Sequence, residues 1–141
     1  MCQSYRLQYG CDFITVIPAN LYGMNDNFNP EDGHVIPVLI RRFHESRNNK
    51  AASVTLWGTG TAKREFLYVD DMVEAVLLLI EKYSNTQPIN IGSNSIVTIR
   101  ELATIISKMV GFNGVLEFDT SKPDGMPSKQ LDNFELSKFG W

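Results

Sequence analysis

The sequence has little positive charge, no long apolar run and few histidines or cysteines. Thirteen Lys and Arg residues stand against sixteen Asp and Glu residues among 141, which gives a formal net charge of -3. A chain without an overall basic field has no general attraction for a nucleic-acid backbone or an anionic membrane surface. Any anionic ligand must therefore be bound by a few placed cations. The run AVLLLI at 75–80 is far too short to span a bilayer.

Several catalytic and metal-binding patterns are also missing. Cys2 and Cys11 form neither a CxxC pair nor a disulfide framework, and this cysteine usage predicts a reducing, cytoplasmic compartment. The sequence has no nucleophile triad, no histidine cluster with metal-ligand spacing and no glycine-rich phosphate loop. The Gly-x-Gly of WGTG at 57–60 lacks a third glycine and opens no predicted helix. Alone it is weak evidence for a cofactor.

The periodicity of the apolar residues predicts an α/β domain. With 43% hydrophobic residues the chain has room for one core, and we predict a single domain over 1–141. The predicted helices lie at 1–9, 34–48, 72–83, 98–110 and 132–139. The predicted strands lie at 12–20, 53–60, 64–69, 88–93 and 114–119, and the first of them is expected to be largely buried. Strands alternating with helices define the α/β class.

Three polar patterns predict where helices begin. Asp70 and Asp71 are candidate N-caps for the third helix, and we give them no catalytic role. Thr98 and Glu101 have the spacing of a capping box. Asp132 is a candidate cap for the terminal helix.

Three cations and one aromatic residue are candidates for ligand binding. Arg42, Arg64 and Lys129 each lie near a predicted element end or loop, where binding groups are common. Two of them converging could clamp a diphosphate, although a single such cation is more often a solvated surface residue. Trp57 could offer a flat surface to a nucleotide base or sugar, or it could pack in the core.

His34 is the candidate for proton transfer. It stands at the predicted start of a helix, ahead of the adjacent arginines of HVIPVLIRRF. Histidine is the side chain whose ordinary charge change falls near neutral pH, so it could exchange a proton with a carbon next to a carbonyl group. The alternative is a helix-start residue that hydrogen-bonds the preceding loop.

Several segments together resemble a known family. They are VIPANLYGMNDNF, GHVIPVLIRRFHE, LWGTGTAKREFLYVDDM, INIGS, TIRELA and SKPDGMPSKQLD. In order and spacing they resemble the C-terminal part of the GDP-L-fucose synthases, which are extended short-chain dehydrogenase/reductases. The resemblance covers essentially all 141 residues. It implies the substrate-binding part of an NAD(P)-binding Rossmann-type fold, with the N-terminal dinucleotide-binding half absent and residues 1–22 as a remnant of the Rossmann domain.

The resemblance also implies a reaction. The family converts GDP-4-keto-6-deoxy-D-mannose to GDP-L-fucose by epimerising C3 and C5 and then reducing the C4 ketone with NADPH. Protons next to a ketone are acidic because the resulting carbanion is an enolate, so an acid/base pair suffices for epimerisation. The implied protein is a cytoplasmic, homodimeric enzyme with a GDP-sugar substrate and no nucleic-acid or membrane partner.

Residue roles follow from the same resemblance. His34 is implied as one member of the acid/base pair and as a residue near NADPH, while Pro18, Ala19, Asn20 and Leu21 resemble the segment beside the nicotinamide. The remaining implied residues hold the GDP-sugar, and they are Arg42, Trp57, Arg64, Asp124 and Lys129. The partner cysteine of the histidine matches neither Cys2 nor Cys11.

The sequence departs from the family pattern at a few positions. Gly33 stands where Ser or Asn is common, and Met126 and Ser128 stand where Thr and Arg are common. By the resemblance, the glycine-rich loop and the Tyr-x-x-x-Lys motif of the reductase precede Met1. We therefore expect the isolated chain, a C-terminal portion of such an enzyme, to be inactive.

Two other functions remain open at this point. One is another nucleotide-sugar epimerase or dehydratase, against which HVIPVLIRRF and SKPDG argue. The other is a non-catalytic interaction module that has kept the fold, against which the retention of the arginines and Trp57 argues.

Overall fold

The computed structural model describes all residues from Met1 to Trp141. The helices are α1 (Cys2–Tyr9), α2 (Val35–Asn48), α3 (Val69–Lys82), α4 (Ile99–Val110) and α5 (Phe134–Ser137). The strands are β1 (Val16–Pro18), β2 (Asn20–Tyr22), β3 (Ser53–Trp57), β4 (Lys63–Tyr68), β5 (Ile89–Ile91), β6 (Ile96–Thr98), β7 (Val115–Asp119) and β8 (Ser128–Lys129). The predicted α/β class is confirmed.

The chain divides into two compact units. The first unit comprises Met1–Gly23, Glu65–Ser95 and Gln130–Trp141. The second unit comprises Met24–Arg64 and Ile96–Lys129. The single domain over 1–141, with 1–22 as a Rossmann remnant, stays a prediction.

In the first unit, short parallel strand pairs support α3. β1 pairs with β5, and β2 pairs with β4, both in parallel. Parallel strands covered by helices are typical of α/β proteins, whose strands need helical crossovers. The core is made of seven buried apolar residues: Ala19, Leu67, Ala75, Leu79, Ile89, Ile91 and Leu136.

The strand predicted over 12–20 differs from the structure in two ways. It is two short strands, because Pro18 has no N–H to donate and the Ala19 N–H bonds the Ile91 carbonyl (2.9 Å) before the chain turns to pair with β4. It is also less buried than predicted. Ile17 is 44% exposed because side chains alternate along a strand, and Ile17 faces away from the side that carries Val16 and Pro18.

Two predicted caps lie elsewhere. α3 begins at Val69 with Tyr68 as its N-cap, so Asp70 and Asp71 lie in its first turn and make no cap hydrogen bond. Their negative charges still stabilise the helix, because they lie near the positive end of its dipole. The terminal helix is shorter than predicted, and its N-cap is Asn133, although an Asp132 carboxylate oxygen accepts the Phe134 N–H at 2.9 Å.

The second unit is built on β3, its parallel partner β7, and the helices α2 and α4. Along β3, Val54 and Leu56 are buried while Thr55 and Trp57 are exposed, the alternation expected for a strand covered on one face. Phe43 of α2 is fully buried, and its ring centre lies 5.6 Å from that of Phe112, which follows α4. This packing fixes α2 on the buried side of β3.

Local signals fix both ends of α4. Thr98 and Glu101 form the predicted capping box, in which the Glu101 N–H donates to the Thr98 hydroxyl (3.1 Å) and the Thr98 N–H to the Glu101 carboxylate (2.8 Å). Gly111 ends the helix at φ +77°, the left-handed conformation that glycine adopts without strain. The predicted capping box and the predicted end of this helix at residue 110 are confirmed.

Candidate functional site

The exposed end of β3 carries the first part of the candidate site. Trp57, the last residue of β3, is 71% exposed, so the interpretation of Trp57 as a core residue is wrong. Arg42 approaches the same strand from α2, because its Nη1 donates to the carbonyl of Thr55 at 3.1 Å. Thr55 and Trp57 share the exposed face of β3. Arg42 is therefore positioned along the strand that ends in Trp57.

The turn after β3 is bound to Asp124. The Thr59 N–H donates to Asp124 Oδ1 at 2.6 Å, and the Thr59 hydroxyl donates to Oδ2 at 2.7 Å. These hydrogen bonds, the hydroxyl first and the N–H second, hold the pKa of Asp124 below its ordinary value. Asp124 is therefore ionised at neutral pH and already engaged by this chain.

Two cations lie side by side in the pairing of β4 with β8. Arg64 and Lys129 are register partners there. Arg64 Nη1 donates to the carbonyls of Lys63 and Met126, both at 2.7 Å. A guanidinium has five N–H donors, so these bonds fix its position and leave donors for a ligand. Arg64 thus lies against the loop that also carries Asp124.

The structure therefore brings five of the predicted residues into one region of the second unit. Arg42 lies on α2, Trp57 on β3 and Arg64 on β4. Asp124 lies in the loop between β7 and β8, and Lys129 lies on β8. His34 makes none of the contacts described above. It is the N-cap of α2, eight residues before Arg42, or about 12 Å along the helix axis.

His34 is open to solvent. Its side chain is 80% exposed, and its Nδ1 lies 3.8 Å from Asp26 Oδ1, which is too long for a hydrogen bond. The alternative of a histidine hydrogen-bonded to the preceding loop is not what the structure shows. The imidazole is free to meet a ligand, with a carboxylate close to one of its nitrogens.

Gly33 has a steric explanation. A Cβ at this position would lie 2.5 Å from the carbonyl oxygens of both Asn27 and Asn29. The Gly33 N–H also donates to the Asn29 carbonyl at 2.8 Å. The loop therefore folds back tightly on the residue before His34, and a side chain here would need the loop to move.

The predicted cofactor segment at 18–21 belongs to the first unit, whereas His34 belongs to the second. Ala19 is buried, and the Asn20 side-chain nitrogen donates to the Glu65 carbonyl at 2.8 Å. Pro18, Asn20 and Leu21 are half-buried. No residue from 18 to 21 is charged, so this segment could contact an uncharged ring but could not neutralise a phosphate.

Sequence reasoning missed several residues of these sites. Thr59 carries the bonds to Asp124, and Lys122 Nζ lies 5.8 Å from the centre of the Trp57 ring. The sequence predicts Glu65 only as part of a strand, yet Glu65 is buried and accepts hydrogen bonds from the N–H groups of Asn94 and Leu131. A buried glutamate in an apolar strand is a signal that could have been noticed, because carboxylates are seldom buried without partners. The contacts of Thr59 and Lys122 depend on tertiary structure and left no such signal.

The structure contains neither a candidate metal cluster nor a helix that could span a membrane. No three His, Cys, Asp or Glu residues lie close enough together to hold a metal ion, and both cysteines are free thiols. None of the helices combines the length and the apolar character that crossing a bilayer requires. A cytoplasmic location stays a prediction.

Comparison with known proteins identifies the class. Residues 1–92 match the family model described as the NAD dependent epimerase/dehydratase family, so the chain belongs to that family. It is 52% identical over 140 residues to GDP-L-fucose synthase 1 of Arabidopsis thaliana, covering 99% of this chain and 43% of that protein. The predicted resemblance to GDP-L-fucose synthases is confirmed. The chain spans less than half the length of this relative.

Two solved structures share the fold. A GDP-6-OMe-4-keto-L-xylo-heptose reductase from C. jejuni is 30% identical with a TM-score of 0.88, and the match covers all of this chain and 52% of that one. A GDP-L-fucose synthetase from Naegleria fowleri bound to NADP is 32% identical with a TM-score of 0.87, covering 96% of this chain and 43% of that one. The predicted fold, part of an extended short-chain dehydrogenase/reductase, is confirmed.

Proposed function

We propose that this chain carries the GDP-sugar-binding residues of a GDP-L-fucose synthase. Such an enzyme epimerises GDP-4-keto-6-deoxy-D-mannose at C3 and C5 and reduces C4 with NADPH to give GDP-L-fucose. The proposal depends on one observation above all. Five residues implied by the family resemblance come from five separate segments and lie in one region of the second unit.

The chemistry of this region suits a nucleotide diphosphate. Arg64 and Lys129 are neighbours in the β4–β8 pairing and together supply two positive charges to a diphosphate. Trp57 is exposed and flat, and stacking of a base on such a ring contributes roughly 1–3 kcal/mol. Arg42, held along β3, supplies a further cation on the side of α2. These three cations would supply the positive charge for a diphosphate, although the chain as a whole is acidic.

His34 would carry the proton in epimerisation. Asp26 Oδ1 lies 3.8 Å from Nδ1, too far for a hydrogen bond, but its negative charge favours the tautomer that carries the proton on that nitrogen. Nε2 is then the nitrogen that can take or return a proton at the carbons flanking the ketone. The high exposure of the ring leaves room for a sugar to approach.

NADPH supplies the hydride for the C4 reduction when it is bound. Pro18, Ala19, Asn20 and Leu21 would contact its uncharged nicotinamide end, because the segment has no charge with which to hold the phosphates. His34 would also approach the cofactor. The sequence contains no Tyr-x-x-x-Lys. We therefore expect the chain alone to bind the sugar nucleotide without reducing it, and we expect the intact enzyme to be a cytoplasmic homodimer.

Calorimetric titration with GDP-fucose tests the proposal, with UDP-galactose as the competing ligand. A ligand present at 100 times its Kd stabilises the folded protein by about 2.7 kcal/mol, so a thermal shift gives a second readout. We expect GDP-fucose to give the larger shift. A larger shift with UDP-galactose would favour another nucleotide-sugar epimerase, and no binding of either would favour a non-catalytic module.

The adjacent arginines provide a matched control. Arg42→Ala should weaken GDP-fucose binding at least tenfold, because it removes the guanidinium held along β3. Arg41→Ala should leave binding within twofold, because Arg41 pairs with Glu45 on its own helix at 2.7 Å. Equal losses in both variants would contradict a specific role for Arg42. Consumption of NADPH by the isolated chain above a His34→Asn control would contradict its expected inactivity.

A second candidate is the reduction of a different GDP-bound keto sugar. The similarity to the C. jejuni GDP-heptose reductase favours it, since that structure covers the whole of this chain. A reductase needs no epimerising histidine. If the intact enzyme with His34→Asn still reduced its keto sugar at an unchanged rate, this second candidate would replace the first.

A further inference from the structure

Both carboxylate oxygens of Asp124 accept hydrogen bonds from the turn that follows β3. Oδ1 accepts the Thr59 N–H at 2.6 Å, and Oδ2 accepts the Thr59 hydroxyl at 2.7 Å. We refer to these two hydrogen bonds as the Thr59–Asp124 clasp. A residue that binds ligand directly usually keeps its charged atoms free, whereas this carboxylate is committed to a neighbouring segment of its own chain.

Two glycines allow this turn to lie close to its neighbours. Gly58 has φ +76°, and a Cβ there would overlap Asp124 Oδ1. Gly60 has φ +75°, and a Cβ there would overlap the ring of Phe118. Both positions need glycine for conformation and for space. The turn therefore lies directly against the end of β7 and the loop that follows it.

α4 holds the same turn from another direction. Arg100 Nη2 donates to the Thr59 carbonyl at 2.7 Å, and the Arg100 N–H donates to the Gly60 carbonyl at 2.9 Å. The Arg100 guanidinium also lies 3.6 Å from the centre of the Phe118 ring, a distance at which cation and ring attract each other. Thr59 is thus bound through its N–H, its hydroxyl and its carbonyl.

The side chain of Trp57 makes no comparable hydrogen bonds, although its backbone pairs with Asp119 of β7. It lies two residues before Thr59 and is 71% exposed. The cation over its ring, Lys122, comes from the loop that also carries Asp124. Release of the clasp would therefore separate the turn after Trp57 from the loop that carries the ammonium group, and would leave that turn held by β7 and α4 alone.

We propose that Asp124 acts on the GDP-sugar site through Thr59, as a positioning residue, and that the Thr59–Asp124 clasp sets the orientation of the Trp57 ring. The inference rests on the proposed function for its ligand, and it adds Thr59 to the residues on which that ligand depends. The indole presented by the clasp is the surface on which the base or sugar of a nucleotide diphosphate sugar stacks.

The test follows Trp57 fluorescence in a Trp141→Phe background, where Trp57 is the one tryptophan left. Thr59→Val keeps the shape of the side chain and removes the hydroxyl, Thr59→Ser restores the hydroxyl, and Asp124→Ala removes the acceptor. Thr104→Val is the matched control, because it removes a hydroxyl that bonds only the Arg100 carbonyl within α4. Circular dichroism checks that each variant is folded.

Two measurements are made on each variant, namely acrylamide quenching of Trp57 without ligand and titration with GDP-fucose. We expect Thr59→Val and Asp124→Ala to change the quenching and to weaken binding about tenfold, and the double variant to be no weaker than either single one. Thr59→Ser and Thr104→Val should stay within twofold of the parent in both measurements.

Two results would overturn the proposal. One is loss of binding in Asp124→Ala with full binding in Thr59→Val, which would make Asp124 a direct ligand contact. The other is unchanged quenching in both variants, which would show that the clasp does not orient the indole. If the parent binds no GDP-fucose, the proposed function fails, while the quenching measurement still decides whether the clasp orients the indole.

Discussion

Glu65 in the first unit and Asp124 in the second do the same task in different surroundings. Each carboxylate accepts two hydrogen bonds. Glu65 accepts the N–H groups of Asn94 (2.9 Å) and Leu131 (2.8 Å), and Asp124 accepts the N–H and the hydroxyl of the single residue Thr59. Each also lies against a glycine where a Cβ would overlap it, Gly92 in one case and Gly58 in the other.

Solvent exposure separates the two carboxylates. Glu65 is 1% exposed, whereas Asp124 lies in an exposed loop. Removing a buried acceptor leaves its donors without water as a substitute, so the cost falls on the whole fold. Removing an exposed acceptor lets water replace it, so the cost is local. The same hydrogen-bond pattern therefore stabilises a whole unit at Glu65 and orients a binding residue at Asp124.

The largest expected effect is that of Glu65→Ala. It removes a buried carboxylate that accepts the N–H groups of Asn94 and Leu131, and we expect a loss of about 3 kcal/mol in the free energy of unfolding, measured with urea. Glu65→Gln should lose less, because one acceptor oxygen remains. The matched control is Glu117→Ala, on the exposed face of β7, where a change within about 0.5 kcal/mol is expected. A similar loss in both alanine variants would remove burial as the explanation.

A smaller effect is expected at the capping box. Thr98→Ala removes the acceptor of the Glu101 N–H and should lower the free energy of unfolding by about 1 kcal/mol. Thr98→Ser keeps the hydroxyl and should lose only part of this. The loss should lie between those at the buried and the exposed carboxylates, since a helix end is partly open to water. A loss equal to that of Glu65→Ala would contradict this order.

The exposed carboxylate should matter least for folding. Asp124→Ala is expected to leave the urea midpoint almost unchanged while it alters the quenching of Trp57. The reason is that water can hydrate Thr59 once the carboxylate is gone, although water cannot hold the turn in place. A fall in the urea midpoint as large as that of Glu65→Ala would show that the clasp stabilises the whole unit.

The smallest effect is a pH dependence of the clasp. Hydrogen bonds from Thr59 lower the pKa of Asp124 below its ordinary value of 3.8. A lowered pKa means that the clasp is complete above that ordinary value and is lost as pH falls through the lowered one. Trp57 emission, recorded in the Trp141→Phe background, should change in this acid range.

Asp124→Asn is the control for this titration. It keeps an acceptor for the Thr59 N–H and cannot titrate, so the emission change should disappear. Charged groups near the clasp are Lys122, Arg64, Arg100 and Asp119, and of these Asp119 also has a pKa lowered by its bonds from Ser121. A change that persists in Asp124→Asn would therefore be assigned to Asp119.

Much of the fold could be predicted from local patterns. α1 and α4 end at residues 9 and 110, and Thr98 with Glu101 begins α4, all as predicted; the residues that follow the two ends, Gly10 and Gly111, adopt the left-handed conformation. These signals act within a few residues, so the sequence carries them directly. The predictions that were wrong, the buried strand at 12–20 and the caps at Asp70 and Asp71, depended on partner strands and on the exact residue at which a helix starts.

The sequence by itself determined the α/β class, the family resemblance and the identity of the candidate residues, because these depend on residue type, order and spacing. Only the tertiary structure decided which of them meet. It brought Arg42, Trp57, Arg64, Asp124 and Lys129 into one region, left His34 exposed at a helix start, and joined Asp124 to Thr59 across 65 positions of the chain. The physical reason is that hydrogen bonding and burial depend on distance in space, which spacing along the chain does not fix.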